Sequence, residues 1–391
     1  MLAQHTLHSA VELTGHLADR SHENRALGTT SILRRQSVGV IAGFAPWNAP
    51  ITLAVRAVAA PLICGNTVVL KASERCPKAH ATVIECFHEA GLPEAAATVV
   101  ETTPETSASA AKALIGHAAV RRINFTGSTR VGRMVAQFAA SHLKRCLLEL
   151  SDKASLIVLD DADLDLAVSC AAFGAYFNQG QICMSTERII VVSAVADAFV
   201  ERLLAKAHGL RANDPKVEPA HLGRLINPDA AARVRGLIDD AVQKGAKLLT
   251  GGDVDGSVMQ PAVLDRVSSA MRIYHEESFG PVATVLRVAD IEEAISIAND
   301  TEFGLASAVF GRDVSRCMDV ATRLETGICQ INGPTVYDAP LLPFGGLKSS
   351  GYGRFGRPAS LDEFSELRWI AQHHAGSAAR YDALLSREED I

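Results

Sequence analysis

The chain has 391 residues, 48% of them apolar, with 38 basic and 44 acidic side chains and a net charge of -6. That length exceeds what one hydrophobic core usually organises, and the apolar content is ample for two. No basic run is longer than a pair such as Arg34-Arg35 or Arg121-Arg122, so there is no electrostatic footprint for nucleic acid, and small-molecule chemistry is expected.

The opening segment MLAQHTLHSAVELTGHLADR lacks a basic stretch followed by an apolar one, so it does not read as a secretion signal. The most apolar span, Val38 to Leu70, is interrupted by Pro46, Pro50, Arg56, Pro61 and Asn66, which argues against a membrane span. From Ser37 to Leu150, β-branched runs (VGVIAGF, NTVVLK, AATVV, VRRINFTG, RCLLEL) alternate with helical patterns (ITLAVRAVAAPLIC, PKAHATVIECFHEAG, SASAAKALIG, RVGRMVAQFAASHL). Such alternation predicts an α/β fold, an open parallel sheet with helices on both faces. A second series begins at ASLIVLD, continues through RIIVVS and VADAFVERLLAKAHG, and reaches GICQIN, predicting a second α/β domain. The stretch after Gln372 reads as a frayed polar tail. Eight cysteines without a C-x-x-C pair read as free thiols in a reducing compartment, so a cytoplasmic location is expected.

Ligands in open α/β sheets bind beyond the carboxyl ends of the strands, so the turns there are where chemistry is sought. Asn48 in PWNAP sits at one such turn, either as an amide donor to a developing oxyanion or as a helix N-cap beside Pro50. KASE places Lys71 and Glu74 where they suit ribose hydroxyls, or form a solvated ion pair. FTGSTRVG offers N-H groups near Gly127 and Ser128 at a helix start, a phosphate site or a plain turn, since its glycines do not make G-x-G-x-x-G. Glu149 ends an apolar strand, where a carboxylate has a raised pKa suited to a general base, or is bonded to backbone as a structural acid. Cys183 in FNQGQICMSTERI follows Gly180 among small and polar residues, and reads either as a nucleophile helped to ionise or as a packing residue. Cys76, His80, Cys86 and His88 fit no common zinc spacing and fall in an amphipathic helix pattern, so no metal is expected.

In this order, PWNAP, KASE, FTGSTRVG, LELSDK, FNQGQIC, EESFGPV and PFGGLKSSGYGR resemble the functional segments of the aldehyde dehydrogenase superfamily, over about Ser37 to Ile370. The resemblance implies a Rossmann-like cofactor domain over 1–150, with oligomerisation strands around 20–38, a catalytic domain over 151–335, and a return segment, strand and tail over 336–391. It implies a thiolate at Cys183, oxyanion donors at the Asn48 amide and the Cys183 N-H, and a base at Glu149. NAD is the implied cofactor, held by Trp47, Lys71, Glu74, Gly127, Ser128, Leu150, Glu277 and Phe279, with Glu74 disfavouring a 2'-phosphate. Asn332 is implied to shape the site. QICMSTERII, INGPTVYDAP and ITLAVRAVAAP resemble the branch acting on aromatic aldehydes of the salicylaldehyde, vanillin and benzaldehyde type. Arg56, Tyr337, Phe344 and Phe177 are the implied substrate contacts, Arg56 and Tyr337 by stacking on the ring and bonding its hydroxyl. SILRRQSVGV and EFSELRWI resemble intersubunit strands, implying a homodimer or homotetramer.

Two departures stand out. Ser151 and Asp152 occupy positions where the family usually has glycines, removing backbone freedom and adding a charge near the base. The resemblance also implies roughly a hundred further residues ahead of Met1. Two other readings remain open: a cysteine-dependent thioester hydrolase or acyltransferase, and a shortened remnant that only binds cofactor.

Overall fold

The β-branched runs become strands and the periodic segments between them become helices. In the computed structural model, which describes residues 1–24 and 28–374, the strands in chain order are β1 (Arg20–Asn24), β2 (Thr29–Ser37), β3 (Val40–Phe44), β4 (Thr67–Lys71), β5 (Ala97–Val100) and β6 (Val120–Thr126). They continue with β7 (Arg145–Glu149), β8 (Ser155–Val158), β9 (Arg188–Val192), β10 (Lys247–Thr250), β11 (Val254–Asp255) and β12 (Val258–Met259). The last are β13 (Ala262–Asp265), β14 (Val282–Val288), β15 (Ala306–Phe310), β16 (Ile328–Ile331), β17 (Gly351–Tyr352) and β18 (Ser365–His373). The expected frayed tail begins as the end of β18, and its remainder, 375–391, lies outside the described residues, as do 25–27 of the expected oligomerisation stretch.

One sheet has the order β17-β7-β6-β3-β4-β5 and the other β10-β13-β14-β9-β8-β15-β16. Both are parallel except at one edge, where β17 and β10 run antiparallel to β7 and β13. The antiparallel edges differ from the all-parallel expectation because each comes from a segment too short to show periodicity. Gly351 of β17 pairs with Glu149, and its φ of 110° together with a Cβ position 2.1 Å from the Leu148 carbonyl oxygen admits glycine alone. The hairpin β11-β12 stands apart, and β1, β2 and β18 form a third, antiparallel sheet.

Helices cover both faces of each large sheet, as the alternation of elements requires. Those needed below are α1 (Leu2–Glu12), α2 (Pro50–Ile63), α3 (Pro77–Glu89), α4 (Pro104–Gly116), α5 (Thr129–Ala140) and α6 (Leu164–Tyr176). Proline at the first turn starts α2, α3 and α4, where its missing N-H costs no bond, while Ser128 and Asp163 cap α5 and α6 with side-chain oxygens. One core joins α1 (Leu13 just beyond it) and α2 to Ile41, Leu70 and Leu147, and the other face of that sheet packs Ile123 and Phe125 against Val135 of α5. In the second sheet, Ile157, Ile190 and Leu264 face one way, and Leu156, Val158 and Phe310 the other. Buried Arg122 on β6 bonds the Glu363 carbonyl and the Glu366 carboxylate, tying the third sheet to the first. No helix among the described residues is long and apolar enough to cross a membrane.

Candidate active site

After α6 the chain turns through three successive left-handed residues, Asn178 (φ 50°), Gln179 (φ 57°) and Gly180 (φ 70°). Such geometry is costly for side-chain-bearing residues and persists only when neighbours over-determine it. Here they do: Asn178 Nδ2 donates to the Asn48 carbonyl at 3.0 Å, and Ser185 Oγ to the Gly180 carbonyl at 3.0 Å. A Cβ on Gly180 would lie 2.2 Å from the Gly280 carbonyl oxygen, so the turn is pressed against the segment carrying Glu277 and Phe279. The turn leaves Cys183 half-buried beside Glu149. Asn48 is not the N-cap, which is Ala49; its amide donates instead to the Gln181 carbonyl at 2.9 Å, and the second N-H of an amide group remains for a ligand oxygen.

Glu149 is 1% exposed, and its Oε1 has no hydrogen-bond partner among the described residues. Burial pushes its pKa up to about 7, helped by the charges of Asp338 and Asp152 and opposed by the Cys183 thiol and Arg56. The reading of a backbone-bonded structural acid therefore does not hold. The Cys183 thiol is pushed well up by burial and by the Glu149 charge, contrary to the expectation that the resting site helps it ionise. A neighbouring carboxylate favours the neutral thiol.

A cavity of about 690 Å³ includes this pair and is lined by Trp47, Asn48, Lys71, Glu74, Gly127, Ser128, Glu149, Leu150, Cys183, Glu277 and Phe279. Every residue expected to bind cofactor or take part in the chemistry thus faces one space. At its far end Lys71 is buried, donating to Glu74 at 3.1 Å and to Ser107 of α4 at 2.7 Å, which sets aside the solvated ion pair and leaves one N-H of the ammonium for a ligand oxygen. Ser128 caps α5, whose N-terminus opens on the cavity, while a Cβ on Gly132 would meet Leu150 at 2.4 Å. Near the thiol, Phe279 (φ 46°) meets Trp47 edge-on with ring centroids 5.8 Å apart. Glu277, pushed up to about 8 by burial and the nearby Glu187 charge, accepts from the Asp152 N-H at 3.3 Å. An adenine ribose, a diphosphate and a nicotinamide fit this sequence of groups.

Glu187 was not anticipated. Its buried carboxylate accepts from Lys153 Nζ at 2.6 Å, the Ser278 and Phe279 N-H groups at 3.0 Å and the Ser278 hydroxyl at 2.8 Å. It joins the segments carrying the thiol, the carboxylate and the Phe279 ring. The available signal was two charged residues, Lys153 and Glu187, beside apolar strands that bury them.

Ser151 and Asp152 have no positive φ, so the backbone there does not require glycine. The Asp152 carboxylate, pushed up to about 6 by burial, accepts from the Leu305 and Ala306 N-H groups at 3.1 and 2.8 Å, joining the end of the first sheet to the start of β15.

The expected substrate contacts are placed differently. Arg56 is buried in an ion pair with Asp338, its guanidinium 4.5 Å from the Phe344 ring centroid and 5.2 Å from that of Phe355. Arg56 and Phe344 line a second cavity of about 30 Å³ against α1, because a buried guanidinium must be paired and Asp338 supplies the charge. Neither is free to hold a substrate ring, although Arg56 lowers the pKa values of Glu149 and Cys183. Asn332 does not line the large cavity; its amide donates to the Gly311 carbonyl at 2.9 Å and accepts from the Gly311 N-H at 3.1 Å, closing the loop after β15. Phe177 and Tyr337 are 53% and 51% exposed, Phe177 stacked on Phe173 with centroids 4.8 Å apart. Cys76 and His80 approach each other at 3.6 Å, but no group of three or more His, Cys, Asp or Glu side chains among the described residues could hold a metal ion.

The model of the Aldehyde dehydrogenase family matches residues 1–370. A vanillin dehydrogenase from Pseudomonas sp. is 53% identical over 94% of this chain and 76% of its own length. A salicylaldehyde dehydrogenase from Pseudomonas putida is 50% identical over 88% of this chain and 71% of its own length. The crystal structure of a salicylaldehyde dehydrogenase from Pseudomonas putida, complexed with salicylaldehyde, superposes with a TM-score of 0.93 and 46% identity, covering 96% of this chain and 78% of that one.

Proposed function

The chain belongs to the aldehyde dehydrogenase family, and from that premise we propose that it oxidises aromatic aldehydes to carboxylic acids with NAD, through an acyl-enzyme on Cys183. The observation that carries the reading is the convergence of Cys183, the unpartnered Glu149 oxygen and the Asn48 amide at one end of the cavity. As the aldehyde carbon approaches, Glu149 takes the thiol proton, sulfur bonds to carbon, and the carbonyl electrons move to oxygen. Asn48 and the Cys183 N-H donate to that oxyanion, offsetting the cost of ionising a thiol held well above its ordinary range. A bound nicotinamide would supply the hydride acceptor, the oxyanion electrons re-forming the carbonyl as a Cys183 thioester. Glu149 gives the thiol proton up to solvent before its second task; it then takes a proton from water as the water oxygen bonds to the thioester carbon, the carbon-sulfur bond breaks with its electron pair on sulfur, and that proton passes to the thiolate as the acid leaves.

NAD is preferred on this reading because the Glu74 carboxylate stands beside Lys71 and would repel a 2'-phosphate. Aromatic preference is supported by Phe177, which lies next to the Asn178 that bonds the Asn48 carbonyl, together with Phe173 and Tyr337; Arg56 acts from behind the wall. A hydrolase without redox chemistry is less well supported, since no histidine lines the cavity to activate Cys183. Exposed Leu33, Leu367 and Trp369 on the third sheet support pairing with a second copy, in a homodimer or homotetramer. The test is NADH formation with hydroxybenzaldehydes, acetaldehyde and either dinucleotide. Higher kcat/KM with acetaldehyde removes the aromatic assignment, and higher kcat/KM with NADP removes the cofactor assignment.

A further inference from the structure

His80, in the first turn of α3, is completely buried and takes no part in the chemistry above. Its Nδ1 accepts the Ser73 N-H at 3.1 Å. A backbone N-H can only donate, so Nδ1 carries no proton and the hydrogen of the neutral ring is on Nε2. That edge lies 3.6 Å from Cys76 Sγ, at the start of α3. Ser73 belongs to the turn between Lys71 and Glu74, and all three residues line the large cavity. One imidazole therefore ties the turn at the end of β4 to the first turn of α3.

We infer that His80 is a positioning residue for the dinucleotide, holding the Lys71–Glu74 turn against α3 only while its ring is neutral. The inference rests on the cofactor reading above. A second proton would have to go to Nδ1, setting a donor against the Ser73 N-H and removing that group's acceptor in a place water does not reach. Burial and the Lys71 charge both hold the His80 pKa below the usual histidine range, consistent with a ring neutral at pH 7. The charged and titratable side chains facing it are Lys71 from β4 and Cys76 at the start of α3. Acidification thus releases the Ser73 turn and with it the ribose-facing pair.

The test is fluorescence titration of NADH binding between about pH 5.5 and pH 8 for the unmodified chain, His80→Gln and His80→Ala. Glutamine can accept from Ser73 without titrating, so His80→Gln should keep the neutral-pH affinity and lose part of the acid-side weakening. The titrations of Asp152, Glu149 and Glu277, at about 6, 7 and 8, are common to all three proteins, so the difference between profiles isolates His80. His80→Ala should bind about tenfold more weakly than the unmodified chain at neutral pH, the difference narrowing on the acid side, with kcat at saturating dinucleotide changed by less than about twofold. Unchanged affinity in folded His80→Ala, or an acid-side profile of His80→Gln identical to that of the unmodified chain, overturns the inference. If His80→Ala does not fold, the glutamine profile decides alone. Failure of the unmodified chain to bind either dinucleotide would instead overturn the cofactor reading, and the inference with it.

Discussion

Glu149 and Glu187 are both shut away from water, 1% and 2% exposed, yet they behave as opposite kinds of acid. Glu187 is surrounded by donors, with Lys153, two N-H groups and a hydroxyl, and its pKa is held below the ordinary range despite burial. Glu149 has one oxygen with no partner and a thiol as neighbour, and its pKa rises to about 7. Burial is common to both; the supply of donors separates them. A carboxylate with every lone pair engaged holds segments together, whereas one left short of donors is ready to take a proton.

The strongest way to break this contrast is to remove the partner that gives Glu149 its task. Cys183→Ala should lower turnover by more than about a thousandfold while leaving dinucleotide binding nearly unchanged, measured by steady-state rates and fluorescence titration. Substituting the base itself should slow both steps in which it takes a proton. Glu149→Gln should lose the rapid burst of NADH and slow steady turnover about a hundredfold, and stopped-flow absorbance follows the first turnover. A burst as fast as that of the unmodified chain would remove Glu149 as the acceptor of the thiol proton and leave only its role towards water.

On the other side of the comparison, Lys153→Met leaves Glu187 charged and unpaired in the interior and should cost about 4 kcal/mol of stability by denaturant unfolding. If Lys153→Met and Glu149→Gln had equal effects on both stability and burst kinetics, the two acids would not be different in kind. The smallest expected effect concerns pH. Because the folded pKa of Glu149 lies above that of the unfolded chain, the folded state holds the extra proton, and stability from this group is lost as pH rises towards and through about 7. Glu187 has the opposite sign: its contribution is present above the ordinary carboxylate range and is lost as pH falls through its lowered value. Glu149→Gln should therefore gain about 2 kcal/mol relative to the unmodified chain between pH 5 and pH 8, while hydrolysis in the unmodified chain speeds up over the same interval. Thermal melts and pH-rate profiles check the two halves.

Asn48 and the cavity-lining residues of KASE and FTGSTRVG were legible in the sequence because each stands in a turn after a strand, and Glu149 because it ends one, where order along the chain translates directly into position; Cys183, which follows α6, and Glu277 and Phe279, which precede β14, depended on the family resemblance. What escaped it depends on distant approach. Arg56 was expected to face substrate because nothing local to α2 shows that Asp338, 282 residues later, reaches it. Glu187 meets Ser278 across 91 residues, and neither end alone suggests the other. Ser151 and Asp152 were expected to disturb a turn, but the backbone there is ordinary and the Asp152 side chain finds N-H donors on β15.

The pairing of Gly351 with Glu149 has a consequence for biosynthesis. The strand ending in the acid is flanked on one side by β6, made just before it, and on the other by a glycine-containing strand that leaves the ribosome about two hundred residues later. Until then the edge of β7 is unpaired, and Leu150 lacks the Ser350 carbonyl that its N-H bonds at 3.1 Å. A nascent chain can therefore contain Cys183 and the cavity-lining residues before both edges of the strand carrying Glu149 are paired. The surroundings of Glu149 are completed only when the β17 segment has been made, and a chain ending before Gly351 would leave that carboxylate at an unpaired sheet edge.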